Sequence, residues 1–394
     1  MKATQFILTI FCVLTLLLPA VSFAADTEAL ERQIQNLARQ LQELQLPFDA
    51  QKSELQAQKE NQEEVAEAAT ALRSIAERVT ISGFVEVEAG FSEDYDDNDE
   101  SDITLATVEL GIDVDLHQYV SGHLLLLWEE DDTEPVDLDE AFITLGNTEY
   151  YPLYLSAGKF YVPFGNFSSC MISDPLTLEL GETRETAVLV GLDYQGFYAG
   201  AYTFNGDIDE TGDEDKIKGY GLNAGYTYET EDFAVDFGLG WINSIADSDA
   251  LGEFLEEEGI EDIADYVGGF NAYAIVSWKN FTLIGEYLGA TDDFKMAELE
   301  FAGSGAQPES WNIELAYTFE VAGHETVLAA AYQGTDEAHA LELPEKRYLG
   351  SLGVELVEGV SVALEYAHDE DYGESEGGSG ENAETVTMQL ALEF

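Results

Sequence analysis

Two hydrophobic periods divide the chain. Between residues 26 and 78, Leu30, Ile34, Leu37, Leu41 and Leu44 recur at alternating spacings of four and three, the a/d seam of a coiled coil. Pro47 interrupts this helix, because it removes a backbone donor and crowds the preceding turn. A weaker seam resumes through Leu55, Gln62, Val65, Ala69 and Leu72. From residue 79 the period becomes two. Trp311, Ile313, Leu315, Tyr317 and Phe319 alternate with Asn312, Glu314, Ala316 and Thr318. Val386, Met388, Leu390, Leu392 and Phe394 do the same at the C-terminal end. Each run covers about ten residues, the length with which a tilted strand crosses a bilayer.

This pattern predicts 16 strands, near 79–91, 102–115, 119–129, 137–146, 150–160, 186–195, 197–205, 216–228, 233–243, 270–279, 281–289, 309–319, 325–333, 346–357, 360–369 and 384–394. A soluble β-sandwich also alternates, so the connections decide. They switch strictly between short turns, such as Gln195-Gly196, Lys279-Asn280 and Glu358-Gly359, and long loops, such as 161–185, 244–269 and 290–308. Transmembrane barrels have short periplasmic turns and long external loops, and sandwiches have no reason to. The predicted fold class is therefore all-β, a transmembrane antiparallel β-barrel of about 16 strands preceded by an α-helical coiled-coil segment. Trp128, Tyr151, Trp241, Trp278, Tyr287 and Trp311, near strand ends, suit the aromatic girdles of such a barrel.

The first residues read as an address. Lys2, the apolar run from Phe6 to Leu18, Pro19 and the small residues Ser22 and Ala24 form a signal peptide cut after Ala24. The run is too short for a spanning helix, which argues against an uncleaved anchor. Three segments follow: residues 1–24 as signal peptide, 25–78 as a periplasmic coiled coil, and 79–394 as an outer-membrane β-barrel of a Gram-negative bacterium. The coiled coil has no core of its own, so it is expected to make a homo-oligomer, a trimer. The alternative is a lone helix against the barrel mouth. Phe394, closing an alternating last strand, is the expected signal for the outer-membrane assembly machinery, and the barrel exterior is expected to meet outer-membrane lipid.

Charge changes the picture of the lumen. The chain carries 80 acidic and 15 basic residues, a net charge of −65, yet is 45% hydrophobic. It is therefore folded rather than a disordered acidic tail, and it has no cationic surface for nucleic acid. If apolar positions face lipid, parity points Glu86, Glu88, Glu109, Asp113, Asp236, Glu286, Glu314, Glu355 and Glu365 into the pore, with Arg347 as the clearest inward base. Rings of acids favour cations, and one bulge would invert a strand. The acidity alternatively reflects a saline habitat. The external loops hold further acidic runs, but none matches the full EF-hand spacing, so no metal site and no cofactor is assigned. Cys170 stands alone outside the leader. His117, His123, His324, His339 and His368 are scattered without a nucleophile motif, which argues against an enzyme.

Segment 161–185 differs from the other loops: it is long, less acidic, and rich in proline, glycine and aromatics. Unstructured loops this long tend to be functional. As the third external loop it is expected to fold inward and narrow the channel, with Lys159, Tyr161, Pro163, Phe164, Gly165, Phe167, Asp174, Glu179, Glu182 and Arg184 as candidate constriction residues. The alternative is a surface loop at subunit contacts. The run Gly158-Lys-Phe-Tyr-Val-Pro-Phe-Gly-Asn-Phe167, with Ser173-Asp-Pro-Leu-Thr and Glu179-Leu-Gly-Glu-Thr183, resembles the LbtU family of siderophore porins. That resemblance implies passive uptake of a small solute, a ferric siderophore, without the plug domain of energy-coupled receptors. An acidic lumen opposes an anionic ferric siderophore, and Arg184, Lys159 and Arg347 are the local positive charges that would receive it. The other readings are a general cation-preferring diffusion porin and a structural tether to the cell wall. A phosphate-selective porin is rejected, since so few basic residues cannot line a pore with lysine and arginine.

Overall fold

The structure is a computed structural model. It describes residues 32–43, scattered positions between 52 and 73, and 76–394 apart from 131–134 and 213–215. The leader reading lies outside the described residues, as does much of the coiled-coil seam. The chain divides into two units, Met1–Ile75 and Ala76–Phe394. In the first, residues 32–43 form helix α1, and its stripe residues Ile34, Leu37 and Leu41 are exposed.

The second unit is a closed antiparallel barrel of 16 strands. They are β1 (Val79–Glu93), β2 (Asp99–His117), β3 (Val120–Trp128), β4 (Asp137–Gly146), β5 (Leu153–Tyr161), β6 (Arg184–Tyr194), β7 (Phe197–Phe204) and β8 (Gly219–Thr230). There follow β9 (Phe233–Ile242), β10 (Gly269–Trp278), β11 (Phe281–Ala290), β12 (Glu309–Val321), β13 (His324–Asp336), β14 (Lys346–Val357), β15 (Val360–Glu370) and β16 (Asn382–Glu393). Each strand pairs with the next, and β16 returns to β1. At that seam Phe394 and Gly83 exchange both backbone hydrogen bonds at 3.0 Å. The Phe394 ring lies where a Cβ on Gly83 would stand, so this close approach requires glycine.

The short turns have the twist that hairpins need. Gln195-Gly196 and Ala322-Gly323 both take positive φ at the two turn positions, as type I′ geometry demands. The strands then present an inverted surface. On β12, Ile313 and Leu315 are more than half exposed while Asn312 and Glu314 are wholly buried. Water-soluble sheets do the opposite.

The apolar core sits inside the barrel rather than between sheets, and the long loops build much of it. Phe160, Val162, Phe164, Leu180, Ile242, Ile245, Leu251, Leu255 and Leu288 pack together there. Among the described residues two loops contain α-helices, α2 (Leu176–Gly181) between β5 and β6 and α3 (Asp249–Glu257) between β9 and β10. Helix α3 buries Leu251 and Leu255, one helical turn apart, against this core.

Candidate functional site

The loop between β5 and β6 runs inward and is fastened to the opposite wall. Gly165 starts the inward turn with φ of +106°, and a Cβ there would collide with the Phe167 ring. The loop's backbone N–H groups then meet carboxylates on successive strands. Glu286 of β11 accepts from the N–H of Asn166 and of Phe167, both at 2.9 Å. Glu314 of β12 accepts from Cys170 N–H and the Ser169 hydroxyl at 2.8 Å each. Glu365 of β15 accepts from the N–H of Ile172 at 2.6 Å and of Ser173 at 3.1 Å, and from the Ser173 hydroxyl. Between them, Gln333 of β13 accepts from Leu176 N–H at 3.1 Å, at the start of α2. Ordinary loops leave such donors to water; here three side chains that could bear charge serve them.

This placement changes the role of three predicted lumen residues. Glu286, Glu314 and Glu365 do point inward, as parity requires, but they are 6%, 0% and 2% exposed beneath the loop. They hold the loop by accepting its hydrogen bonds. Phe164 is likewise corrected: at 1% exposure it packs into the core under the loop instead of facing solute. Pro163 precedes this anchor, and Phe167, partly buried against the same core, takes positive φ to turn the chain. Asp236 accepts from the Tyr198 hydroxyl at 3.1 Å, on a different part of the wall. Glu355 is exposed beside a bulge of β14, away from the loop.

The acids that remain open lie on the near wall and the loop. Glu86 and Glu88 of β1 and Glu109 of β2 are half-buried, and Gln389 donates to Glu88 at 2.9 Å. Asp174, past the tip of the loop, lies within electrostatic reach of Glu86 and Glu88. Asp113 binds His123 at 2.7 Å, and the other ring nitrogen of His123 lies 3.3 Å from Glu140.

Above the loop is a cavity of about 570 Å³. Glu179 and Glu182 enter it from the α2 segment, and Asp249, Glu253 and Glu257 from α3, spaced four apart on one helical stripe. Asp174, Glu129 and Glu342 add to these, and Arg184 is the base among the lining residues. The backbone N–H of Asp249 donates to the Glu182 carbonyl at 2.9 Å and ties the two loops together. Burial, and then the charge of Asp249, pushes the Glu182 carboxyl up to about 8. Glu179 is raised by burial first and by neighbouring carboxylates second.

The bases near this passage are engaged. Arg184 bonds Asp139 and lies 3.3 Å from Asp137. Lys159 lies 3.6 Å from Asp137 and donates to the Leu138 carbonyl. Arg347 makes a two-point pair with Asp369, at 2.9 and 3.0 Å. Tyr161 donates its hydroxyl to Asp139 at 3.0 Å. Asp139 is the residue that parity misses. A bulge at the β3–β4 pairing turns Asp139 and Glu140 into the barrel together. The bulge has no signature in the alternation of β4. Gln333 and Asp369 were equally hidden, because their importance comes from what stands opposite them.

No family model matches the chain. A UPF0422 protein of Legionella pneumophila (strain Lens) is 28% identical over 369 residues, covering 80% of this chain and 66% of that protein. A UPF0422 protein of Coxiella burnetii (strain RSA 493) is 30% identical over 304 residues, covering 75% of this chain and 65% of that one. The chain thus spans just under two thirds of the length of these relatives. Among solved structures, the outer membrane channel DcaP of Acinetobacter baumannii superposes with a TM-score of 0.53 at 14% identity, covering 80% of this chain and 97% of that one. OprB of Pseudomonas putida gives 0.57 at 12% identity, with 80% and 94% covered. An anion-selective porin from Comamonas acidovorans gives 0.54 at 14% identity, with 80% and 99% covered. At these identities the likeness is one of fold, and the fold of this chain is that of an outer-membrane porin.

Proposed function

We propose that the protein is an outer-membrane diffusion channel whose passage prefers cations. The observation that carries this reading is the pairing of charges. Glu88, Glu109 and Asp174 lie within electrostatic reach of Glu86 beside the inner loop, while Arg184, Lys159 and Arg347 are bound to carboxylates. Carboxylates in a low-dielectric channel mouth concentrate cations and repel anions. The fold alone does not decide this, since the Comamonas porin of similar fold is anion-selective. The reversal potential of the refolded protein in a planar bilayer, under a potassium chloride gradient, tests it. A cation-selective value is expected, and an anion-selective value would sink the reading.

The finer siderophore reading rests on the resemblance of residues 158–183 to the LbtU family. It requires an anionic ferric complex to find free positive charge, and the carboxylates already on Arg184 and Arg347 compete with it. A cationic or neutral iron complex meets no such obstacle. Saturable block of the conductance by one ferric siderophore would favour this reading over a general porin. The remaining assignments belong to the same proposal: a cleaved leader at 1–24, a periplasmic coiled coil at 25–78 that makes a trimer, and Phe394 as the assembly signal. The exposed seam on α1 is what supports the second of these. Cross-linking with and without residues 26–78 tests it, and an unchanged oligomer would remove the coiled coil from that role. A cell-wall tether would instead appear as retention on purified peptidoglycan.

A further inference from the structure

Beneath α2 the barrel wall carries two amide side chains whose bonding capacity the protein does not use. Asn312 of β12 and Gln333 of β13 stand directly opposite each other in the register, and both are fully buried. Helix α2 packs across β11, β12 and β13 and lies over them. Gln333 Oε1 accepts from the Leu176 N–H at 3.1 Å, which fixes the orientation of that amide and turns its Nε2 elsewhere. This Nε2 has no hydrogen-bond partner among the described residues, and neither Nδ2 nor Oδ1 of Asn312 has one. Reversing the Asn312 amide would merely exchange one orphan for the other.

The neighbour on the far side cannot serve them. Glu286 stands opposite Asn312 across the β11–β12 ladder, but its carboxylate is already filled. It accepts from the N–H groups of Asn166 and Phe167 at 2.9 Å, from Asn271 Nδ2 at 2.7 Å and from the Thr177 hydroxyl at 3.4 Å. Buried amides are paired as a rule, with protein or with ordered water. Leaving such a group bare costs more stability than making its bond contributes.

The chemistry of the orphans selects the occupant. It must accept from Nδ2 and Nε2 and donate to Oδ1. A metal cation would satisfy the oxygen and strand both donors. An anion would strand the oxygen and stand beside the Glu286 carboxylate. Water accepts and donates at once, and an internal water makes about three such bonds. We propose that Asn312 and Gln333 form a binding site for ordered water, which bridges the two amides beneath α2. The site positions the loop. Water on Nε2 holds Gln333 turned so that Oε1 meets the Leu176 N–H, and this adds a fastening to those made by Glu286, Glu314 and Glu365. It concerns how the loop is seated, whatever solute passes.

The test is a crystal structure of the full chain at a resolution that shows ordered solvent. The expected result is a water within about 3 Å of both side-chain amides. An empty space, a direct bond between the two amides or a monatomic ion there overturns the proposal. Urea unfolding in detergent micelles gives a second measurement, with Asn312→Leu as a variant of similar size. If water serves the amides, the leucine expels it and leaves Gln333 Nε2 buried alone, so the urea midpoint falls. If the site is dry, the leucine removes an orphaned polar group, and the midpoint holds or rises, which overturns the proposal. Should the variant fail to insert, the solvent seen in the wild type decides.

Discussion

Glu314 on β12 and Glu88 on β1 are the same residue type at equivalent inward positions, and they do different work. Glu314 is wholly buried, with both oxygens taken by the N–H of Cys170 and the hydroxyl of Ser169. Glu88 is half-buried, takes one bond from Gln389, and lies within electrostatic reach of Asp174. The wall from β11 to β15 uses its acids as mortar for the loop, while Glu86, Glu88 and Glu109 on β1 and β2 stay half-buried and outside that network. Composition alone treats these as one acidic lumen. The distinction is made by the loop, whose wall-directed donors from Asn166 to Leu176 all go to the stretch from β11 to β15.

The comparison is broken most severely by removing the mortar. The combined change Glu286→Ala, Glu314→Ala and Glu365→Ala strands the loop donors, each worth about 1–3 kcal/mol when left buried and unpaired. Single-channel conductance is expected to rise and become noisy as the loop leaves the wall. An unchanged conductance would show that apolar packing of Phe164 and Leu180 holds the loop by itself. Next in size is Glu88→Lys with Asp174→Lys. Reversing charge at both positions should swing the reversal potential toward anions, whereas Glu314→Gln should barely move it. Equal shifts from the two would erase the distinction between the walls.

A subtler effect concerns pH. Glu182, on the inner loop, has its carboxyl raised from 4.5 to about 8, chiefly by burial and then by Asp249. A raised carboxyl makes the docked arrangement bind protons more tightly than the undocked one. The contact between the inner loop and α3 is therefore strongest at the acid end, weakens as pH climbs from about 4.5, and is weakest above about 8. Recording channel noise across this range should show quieter traces at acid pH, and Glu182→Gln should flatten the dependence. The smallest effect is expected from Asp113→Asn. It loosens the His123 contact in a part-exposed setting, worth roughly 1 kcal/mol or less, and conductance should stay within experimental scatter.

Much of the barrel was legible in the residues. Alternation found all 16 strands, and β14 from Lys346 to Val357 agrees to the residue. Turn dipeptides such as Gln195-Gly196 announced their own geometry. What escaped depends on partners distant in sequence. Helix α3 lies within the long loop 244–269 and is hidden in the sequence because its charges mask the apolar pair Leu251 and Leu255. Asp139 turns inward through a bulge, and alternation contains no sign of which residue will bulge. Parity sends Glu286, Glu314 and Glu365 to the inside, but it carries no information about a loop lying across them.

The seam between β16 and β1 has a consequence for the order of assembly. The bond from Gln389 to Glu88 joins residues 301 positions apart, and the pairing of Phe394 with Gly83 lies beside it. Every other pairing in the barrel joins sequence neighbours, at little cost in chain entropy. Until that final zipper closes, the sheet is a curved ribbon with two raw margins, each able to recruit another ribbon. Closing it ends that hazard and completes the cylinder in one step, so the slow moment in the life of this protein is expected to be the meeting of its two outermost strands.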